Sequence, residues 1–300
     1  MPLFLFQTIQ RDSVISFPML GDLHLDPPAY FSIGNFHIYF YGVLIAIGFL
    51  LALIYCPRKG PSLGIKADDF YDLMLFLIPL SILGARLYYV LFRLEYYLVN
   101  PGEILAVRDG GLAIYGGVIA GAITIWLVCR RKKIPVPAML DLAVFGLLLG
   151  QILGRWGNFM NREAFGAETE IFCRMGLTDP SGHTIYVHPT FLYESLWNLI
   201  CFVFLVMWTK KGRRRYDGQC ALIYFFWYGL GRAWIEGLRT DSLYLGSTNI
   251  RVSQLLSVIL ALASLVILIV QGRKEHPPEA LFVNRRAAQE QAEAEESKEE

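Results

Sequence analysis

Seven stretches of the chain are almost continuously apolar: residues 38–56, 71–92, 112–130, 138–156, 190–209, 219–237 and 252–271. Each is near the about 20 residues that carry an α-helix across the hydrocarbon of a bilayer. Apolar and polar positions do not alternate within them, as they must in a transmembrane strand, so the pattern predicts helices. Pro79 in the second stretch and the glycines of the fourth do not disturb this reading. Neighbouring membrane helices can satisfy the backbone groups such residues free. The pattern therefore predicts an all-α polytopic membrane protein, a bundle of about seven transmembrane helices over residues 38–271. Residues 1–37 form an extracytoplasmic N-terminal segment in this reading, and residues 272–300 a polar tail.

The polar connections orient the bundle. Arg58, Lys59 and Lys66 follow the first stretch, Arg130, Arg131, Lys132 and Lys133 the third, and Lys210, Lys211, Arg213, Arg214 and Arg215 the fifth. The tail adds Arg273, Lys274, Arg285, Arg286 and Lys298. Lys and Arg accumulate in cytoplasmic loops, so the N-terminus is expected outside and the C-terminus in the cytoplasm. Residues 1–30 lack a basic start, apolar core and small-residue cleavage site, so the first span is expected to act as the insertion signal. Residues 162–188 make a long outer loop in which two short extended pieces flank Asp179-Pro180-Ser181-Gly182, a turn signal. They predict a small two-stranded extracytoplasmic arm. The tail ends in the acidic run EAEESKEE and is expected to be solvated and disordered.

Composition sharpens this reading in two places. Hydrophobic residues make up 55% of the chain and charged residues only 18%, against about 25% charged in ordinary soluble domains. The net charge of +1 says nothing about partners, and the placement of charge matters more; no nucleic-acid partner is expected. The five cysteines form no CxxC and no Cys/His cluster, so neither a metal nor a disulfide framework is expected. Cys56, Cys129, Cys201 and Cys220 lie in or at the ends of apolar stretches and Cys173 in the long loop, and small buried hydrophobes are the plainer reading.

With the topology set, polar residues inside the apolar stretches gather toward the outer side. Tyr41 opens the first helix, Arg86 lies in the outer half of the second, and Asp109-Gly110-Gly111 and Tyr115 open the third. Arg155, Asn158, Asn161 and Glu163 end the fourth, His188, Tyr193 and Glu194 open the fifth, and Arg232, Glu236 and Arg239 close the sixth. An arginine at the centre of a membrane helix costs about 2.5–3.5 kcal/mol or more, so several of them imply a shared anionic partner. Arg232, Glu236 and Arg239 are spaced to share one helix face, and guanidinium groups grip phosphate through paired hydrogen bonds. The alternative is that the arginines pair with Glu163, Glu236 and carbonyls merely to hold the bundle. Gly146, Gly150 and Gly154, and likewise Gly117 and Gly121, recur at the four-residue spacing that lets helices approach closely. Gly157 and Gly166, at the change from helix to loop, point to unusual backbone angles or a close ligand.

The run from Gly154 to Gly166, GRWGNFMNREAFG, resembles the signature of the prolipoprotein diacylglyceryl transferases. Tyr41-Gly42, Gly84-Ala85-Arg86, the DGGLAIYGG run from Asp109, the HPTFLYE run from His188 and Glu236-Gly237-Leu238-Arg239 follow in that family's order. The resemblance covers about residues 30–272. It implies a seven-helix enzyme of the bacterial inner membrane with its site toward the outer face and no cofactor. The substrates it implies are phosphatidylglycerol, a membrane lipid, and a prolipoprotein whose signal peptide carries a lipobox cysteine. The product is a thioether between that cysteine and diacylglycerol, with release of glycerol phosphate.

The same resemblance assigns residues. Arg155 and Arg239 match essential arginines, and Tyr41, Asn158, Glu163 and Gly166 match further functional positions. Tyr115 stands where many members have a histidine, and is read here as a catalytic hydrogen-bonding group. A phenol with a reference pKa of about 10 is a poor base at neutral pH. Arg86, Asn161, Arg232, Glu236 and His188 complete the expected substrate-binding set, His188 also as a candidate proton acceptor. The competing classes are an anion or lipid transporter and a phospholipid-binding scaffold. Against the first, the polar residues line no path to the inner side, and the two halves share no pair of broken helices.

Overall fold

A computed structural model describes residues 12–299 apart from 22, 35, 108–109, 241–243, 245–247 and 249. The helices are α1 (Phe40–Lys59), α2 (Ala67–Leu91), α3 (Leu94–Val99), α4 (Ile114–Lys132), α5 (Val136–Asn161), α6 (Thr190–Lys210), α7 (Gln219–Leu238), α8 (Val252–Gly272) and α9 (Phe282–Glu299). Each of the seven apolar stretches coincides with one of them, and three overrun the helix by one or two residues at one end. Six are long and apolar enough to cross a membrane: α1 with the turn that extends it to Leu63, α2, α4, α5, α6 and α8. The remaining stretch is α7, which carries Arg232 and Glu236.

The chain divides into two compact units. The first comprises Met1–Ala52, Val144–Arg214 and Gln219–Glu275, and the second Leu53–Ala143, Arg215–Gly218 and His276–Glu300. Small residues set the helix approaches within each. In the first, a Cβ on Gly48 would meet the Gly150 Cα at 3.1 Å, and one on Gly229 would meet the Ser257 carbonyl at 2.6 Å. Trp197 and Trp227 lock α6 to α7 reciprocally, each indole N–H donating to the other's carbonyl at 2.9 and 3.0 Å. In the second, a Cβ on Gly84 would run into Gly116 and Ala120, and Gly117 and Gly121 face Ser81, so α2 and α4 pack backbone to backbone.

The fold is not all-α. Strands β1 (Val14–Phe17), β2 (Leu23–Leu25), β5 (Met175–Thr178) and β6 (Thr184–Val187) form an antiparallel sheet in the order β2-β1-β5-β6. Two further strands, β3 (Tyr30–Ile33) and β4 (Phe36–Tyr39), form a separate hairpin. The expected arm is there, with Asp179 at its turn accepting from the Ser181 and His183 N–H groups at 2.9 Å. It has four strands because the N-terminal segment adds two, Ile15 pairing with Leu177. Ile15, Met175, Leu177 and Val187 pack with Phe159 at the end of α5 and Phe191 at the start of α6. That small core fixes the ends of the two helices that carry most of the polar residues.

Arg162 is the polar counterpart of this core. It is 4% exposed and sits in a left-handed backbone conformation just past α5. Its guanidinium donates to the carbonyls of Ser13 (2.6 Å), Pro27 (2.9 Å) and Met160 (3.1 Å) and to Asp26 (2.6 Å).

The tail is a second correction. Residues 282–299 are helical, although their acidic run reads as disordered. Arg286 donates to Asp69 and to the Gly64 carbonyl, both at 2.9 Å, and Lys66 meets Glu290 at 2.9 Å. The Phe282 N–H donates to Asp217 at 3.0 Å and its ring is buried. Net composition hides this: the Ala and Glu of the run are strong helix formers, and Arg286 and Glu290 are spaced to pair.

Two outcomes follow. Arg162→Ala leaves three carbonyls without their donor and should lower stability by about 1–3 kcal/mol. Thermal unfolding of the purified protein and faster proteolysis before residue 30 would show it. Lys66 beside Glu290 holds that carboxyl below the usual glutamate range. A depressed folded pKa means the contact is present above the unfolded value, about 4.3, and lost as pH falls through the folded one. Amide protection factors in residues 282–299, which remove the intrinsic pH dependence of exchange, should therefore fall on acidification and hold on moderate alkalinisation.

Candidate active site

The first unit brings three arginines from two helices to one carboxylate. Glu194, one turn into α6, is 5% exposed. Its Oε2 lies 2.6 Å from Arg155 near the end of α5, and its Oε1 2.9 Å from Arg232 of α7. Arg239, just past α7, approaches the same Oε1 at 4.0 Å. Arg232 also pairs with Glu236 one turn on, at 2.5 Å, and Glu236 is 2% exposed. Breaking buried pairs of this kind costs about 3–5 kcal/mol, so each member constrains the rest.

The other expected residues form a rim on this centre. Arg155 donates to the Asn158 side-chain oxygen at 3.3 Å. The Asn158 and Asn161 amides both donate to Glu163, at 3.0 and 3.2 Å. Glu163 thus orients two asparagines and touches no arginine within salt-bridge distance among the described residues. The Tyr41 ring lies on α5, where a Cβ on Gly157 would come 2.5 Å from it. Gly166 occupies a crossing of chain segments. Its N–H donates to the His188 carbonyl at 2.9 Å, the next N–H donates to Leu238 at 2.7 Å, and Gly166 bridges to Arg239. A Cβ there would meet the His188 Cβ at 2.6 Å. The glycine is needed because protein backbone crowds it, not because of an unusual φ.

His188 Nδ1 lies 3.4 Å from the Tyr193 hydroxyl, which in turn lies 3.6 Å from the Cys173 sulfur. Burial pushes the His188 imidazole pKa down from the ordinary histidine value. Three of the other four cysteines are fully buried and the fourth is Cys56, equally enclosed, so none presents an exposed nucleophile.

Arg86 and Tyr115 belong to the second unit. Arg86 is 5% exposed, and its guanidinium donates to four carbonyls: Ile104 (2.8 Å), Gly110 (2.8 Å), Gly111 (3.0 Å) and Glu103 (2.6 Å). Four of its five donors are thereby engaged in shaping the loop before α4. That loop and α3 enclose a cavity of about 320 Å³ lined by Arg86, Tyr89, Arg93, Tyr97 and Glu103. Tyr115 is half-exposed in the first turn of α4. Asp109, the remaining candidate, lies outside the described residues.

Glu194 is the residue whose role sequence reasoning missed. Its position beside the other polar groups is plain in the HPTFLYE run, but i, i+4 spacing pairs Arg232 with Glu236 and says nothing of a carboxylate from another helix.

Six helices long and apolar enough to cross a membrane, with a buried arginine–glutamate centre at helix ends, give the chain the character of a polytopic membrane protein. The comparisons make the class specific. The family model described as prolipoprotein diacylglyceryl transferase matches residues 28–270. The chain is 44% identical over 259 residues to the phosphatidylglycerol–prolipoprotein diacylglyceryl transferase of Limosilactobacillus reuteri (strain DSM 20016), covering 83% of this chain and 93% of that one. It is 44% identical over 248 residues to the protein of that name from Bacillus cereus (strain G9842), covering 80% and 90%. A third so named, from Lactiplantibacillus plantarum, is 42% identical over 267 residues, covering 87% and 93%. The chain belongs to the prolipoprotein diacylglyceryl transferase family.

Removing the shared carboxylate tests the centre. Glu194→Ala leaves Arg155, Arg232 and Arg239 to repel one another and should cost about 3–5 kcal/mol, while Glu194→Gln, which keeps the shape, should cost less. Equal melting temperatures for both variants and the parent would show that Glu194 is not the hub.

Proposed function

We propose that this chain transfers the diacylglyceryl group of phosphatidylglycerol to the lipobox cysteine of prolipoproteins, as its relatives' names describe for them. It works in the bacterial inner membrane with seven spans, α7 being the seventh, its N-terminus outside and its C-terminus in the cytoplasm. The basic loops after α1, α4 and α6 support that orientation. The site then opens to the outer leaflet.

The convergence of Arg155, Arg232 and Arg239 on Glu194 carries the reading. Guanidinium groups match the two non-bridging oxygens of a phosphodiester, and they act most strongly where water is excluded. The substrate sulfur attacks the terminal glyceryl carbon of diacylglycerol. The carbon–oxygen bond to phosphate breaks, its electron pair leaves on the phosphate oxygen, and glycerol phosphate departs. Arg155 and Arg239 stabilise that developing charge, and Glu194 and Glu236 hold the arginines in place beforehand. Only a few per cent of a free thiol, with pKa about 8.5, is thiolate at neutral pH. The cationic site favours the thiolate of the incoming cysteine. Asn158, Asn161, Glu163 and Tyr41 orient the headgroup, with Gly166 keeping Arg239 in register. Tyr115 and Arg86 are assigned to substrate on the resemblance alone, and His188 is an acceptor for the thiol proton.

The test is a mass spectrum of a synthetic lipobox peptide incubated with purified protein and phosphatidylglycerol. A gain of one diacylglyceryl group on the cysteine is expected. Arg155→Ala or Arg239→Ala should slow transfer by at least about 10²–10³-fold, the range seen when a single oxyanion donor is removed. A variant lacking all five cysteines should remain active. No mass gain with folded protein would remove the assignment.

A further inference from the structure

The apolar character of this chain does not begin at its first helix. No residue between 27 and 57 carries a charge, and the first ten or so of these form the β3–β4 hairpin rather than a span. In water a two-stranded hairpin is marginal, and open strand edges are usually guarded by lysine or other charges. This one has none.

The register divides its side chains into two unlike faces. Phe31 opposes Ile38 and Ile33 opposes Phe36, which puts four apolar side chains on one face. Tyr30 opposes Tyr39 and Ser32 opposes His37 on the other, with the Ser32 hydroxyl 2.7 Å from the His37 ring. Ile33 is 65% and Phe36 66% exposed, more than most side chains of the adjoining helix. Strand β4 runs directly into α1, and the Phe40 N–H donates to the Ala29 carbonyl at 3.0 Å, which ties the hairpin base to the helix start. The uncovered apolar face is therefore continuous with a helix that is long and apolar enough to cross the membrane.

We propose that the β3–β4 hairpin is an interfacial membrane anchor, lying in the headgroup layer with Phe31, Ile33, Phe36 and Ile38 toward the acyl chains and Ser32 and His37 toward water. Its depth follows from its backbone. A two-stranded sheet has unpaired N–H and C=O groups on both edges, which hydrocarbon excludes but the hydrated interface satisfies. Aromatic rings, and tyrosine above all, favour that same layer. The arrangement is the strand counterpart of an amphipathic interfacial helix. It requires only that α1 spans the membrane, not that the chain catalyses the transfer reaction.

The test reads position, not turnover. Ile33→Cys, Phe36→Cys, Ser32→Cys and His37→Cys are made singly in a Cys173→Ser background and labelled with an environment-sensitive fluorophore. Ser181→Cys, in the exposed Asp179 turn, serves as the aqueous reference. The proteins are reconstituted into vesicles of phosphatidylethanolamine and phosphatidylglycerol. Labels at 33 and 36 should be quenched by lipids carrying a shallow nitroxide and shielded from aqueous iodide, and labels at 32 and 37 should show more iodide quenching. Four labels as open to iodide as the one at 181 would overturn the anchor. So would labels at 33 and 36 that ignore the lipid quencher and become shielded only when a lipobox peptide is added, which would give the hairpin to the peptide substrate. Equal lipid quenching at all four positions would overturn the assigned faces.

Discussion

The arginines at the centre of the first unit are organised by one carboxylate. Glu194 stands between Arg155 and Arg232 and lies within reach of Arg239 as well. Three guanidinium groups so close would repel one another strongly in a medium poor in water, and the glutamate turns that repulsion into a fixed geometry. A site assembled this way is preorganised. The cost of gathering like charges is met by folding and not again when an anionic headgroup arrives.

The rest of the unit keeps that geometry from relaxing. Glu194 and Arg155 sit at the ends of α6 and α5, and those ends are pinned by Phe159 and Phe191 in the core beneath the four-stranded sheet. Arg162 draws the N-terminal strands onto the same spot through the Ser13 and Pro27 carbonyls and the Asp26 carboxylate. Gly166 lets the returning loop pass so close to His188 and Leu238 that it pairs with Arg239 itself. The β5–β6 hairpin lies between Arg155 and Glu194 along the chain, so a fault in the sheet displaces the centre.

The helices were legible because the bilayer makes them so: continuous apolar stretches of the right length have few other solutions. The glycine spacing likewise reported real close approaches at Gly154 in one unit and at Gly117 and Gly121 in the other, whereas a Cβ on Gly150 would meet nothing within 4 Å. What the pattern could not show were contacts across long separations. Strand β1 pairs with β5, about 160 positions on, and β2 only with β1, and neither carries a strong alternation of its own, so an all-α reading overlooked them. The partner of Arg155 is 39 positions away in Glu194, and helical spacing favoured the nearer pair, Arg232 with Glu236, which exists but is not the centre. The tail was misread because its acidic end masks the basic residues that dock it, Arg286 onto Asp69 above all.

Tyr115 sharpens the chemistry of the proposed reaction. A phenol cannot serve as the base that an imidazole could, and His188, pushed below the ordinary histidine pKa by burial, is a weak one. A strong base is not required if the nucleophile is a thiol. Its pKa lies only about 1.5 units above neutral pH, so a cationic site supplies the needed stabilisation at modest field strength. The same arginines that receive the phosphate charge can first favour the thiolate, and the burden shifts from proton transfer to electrostatics. On this argument the demands on position 115 are those of a hydrogen-bonding group, which tyrosine meets, whereas no other side chain replaces a guanidinium that must stay charged in so dry a place.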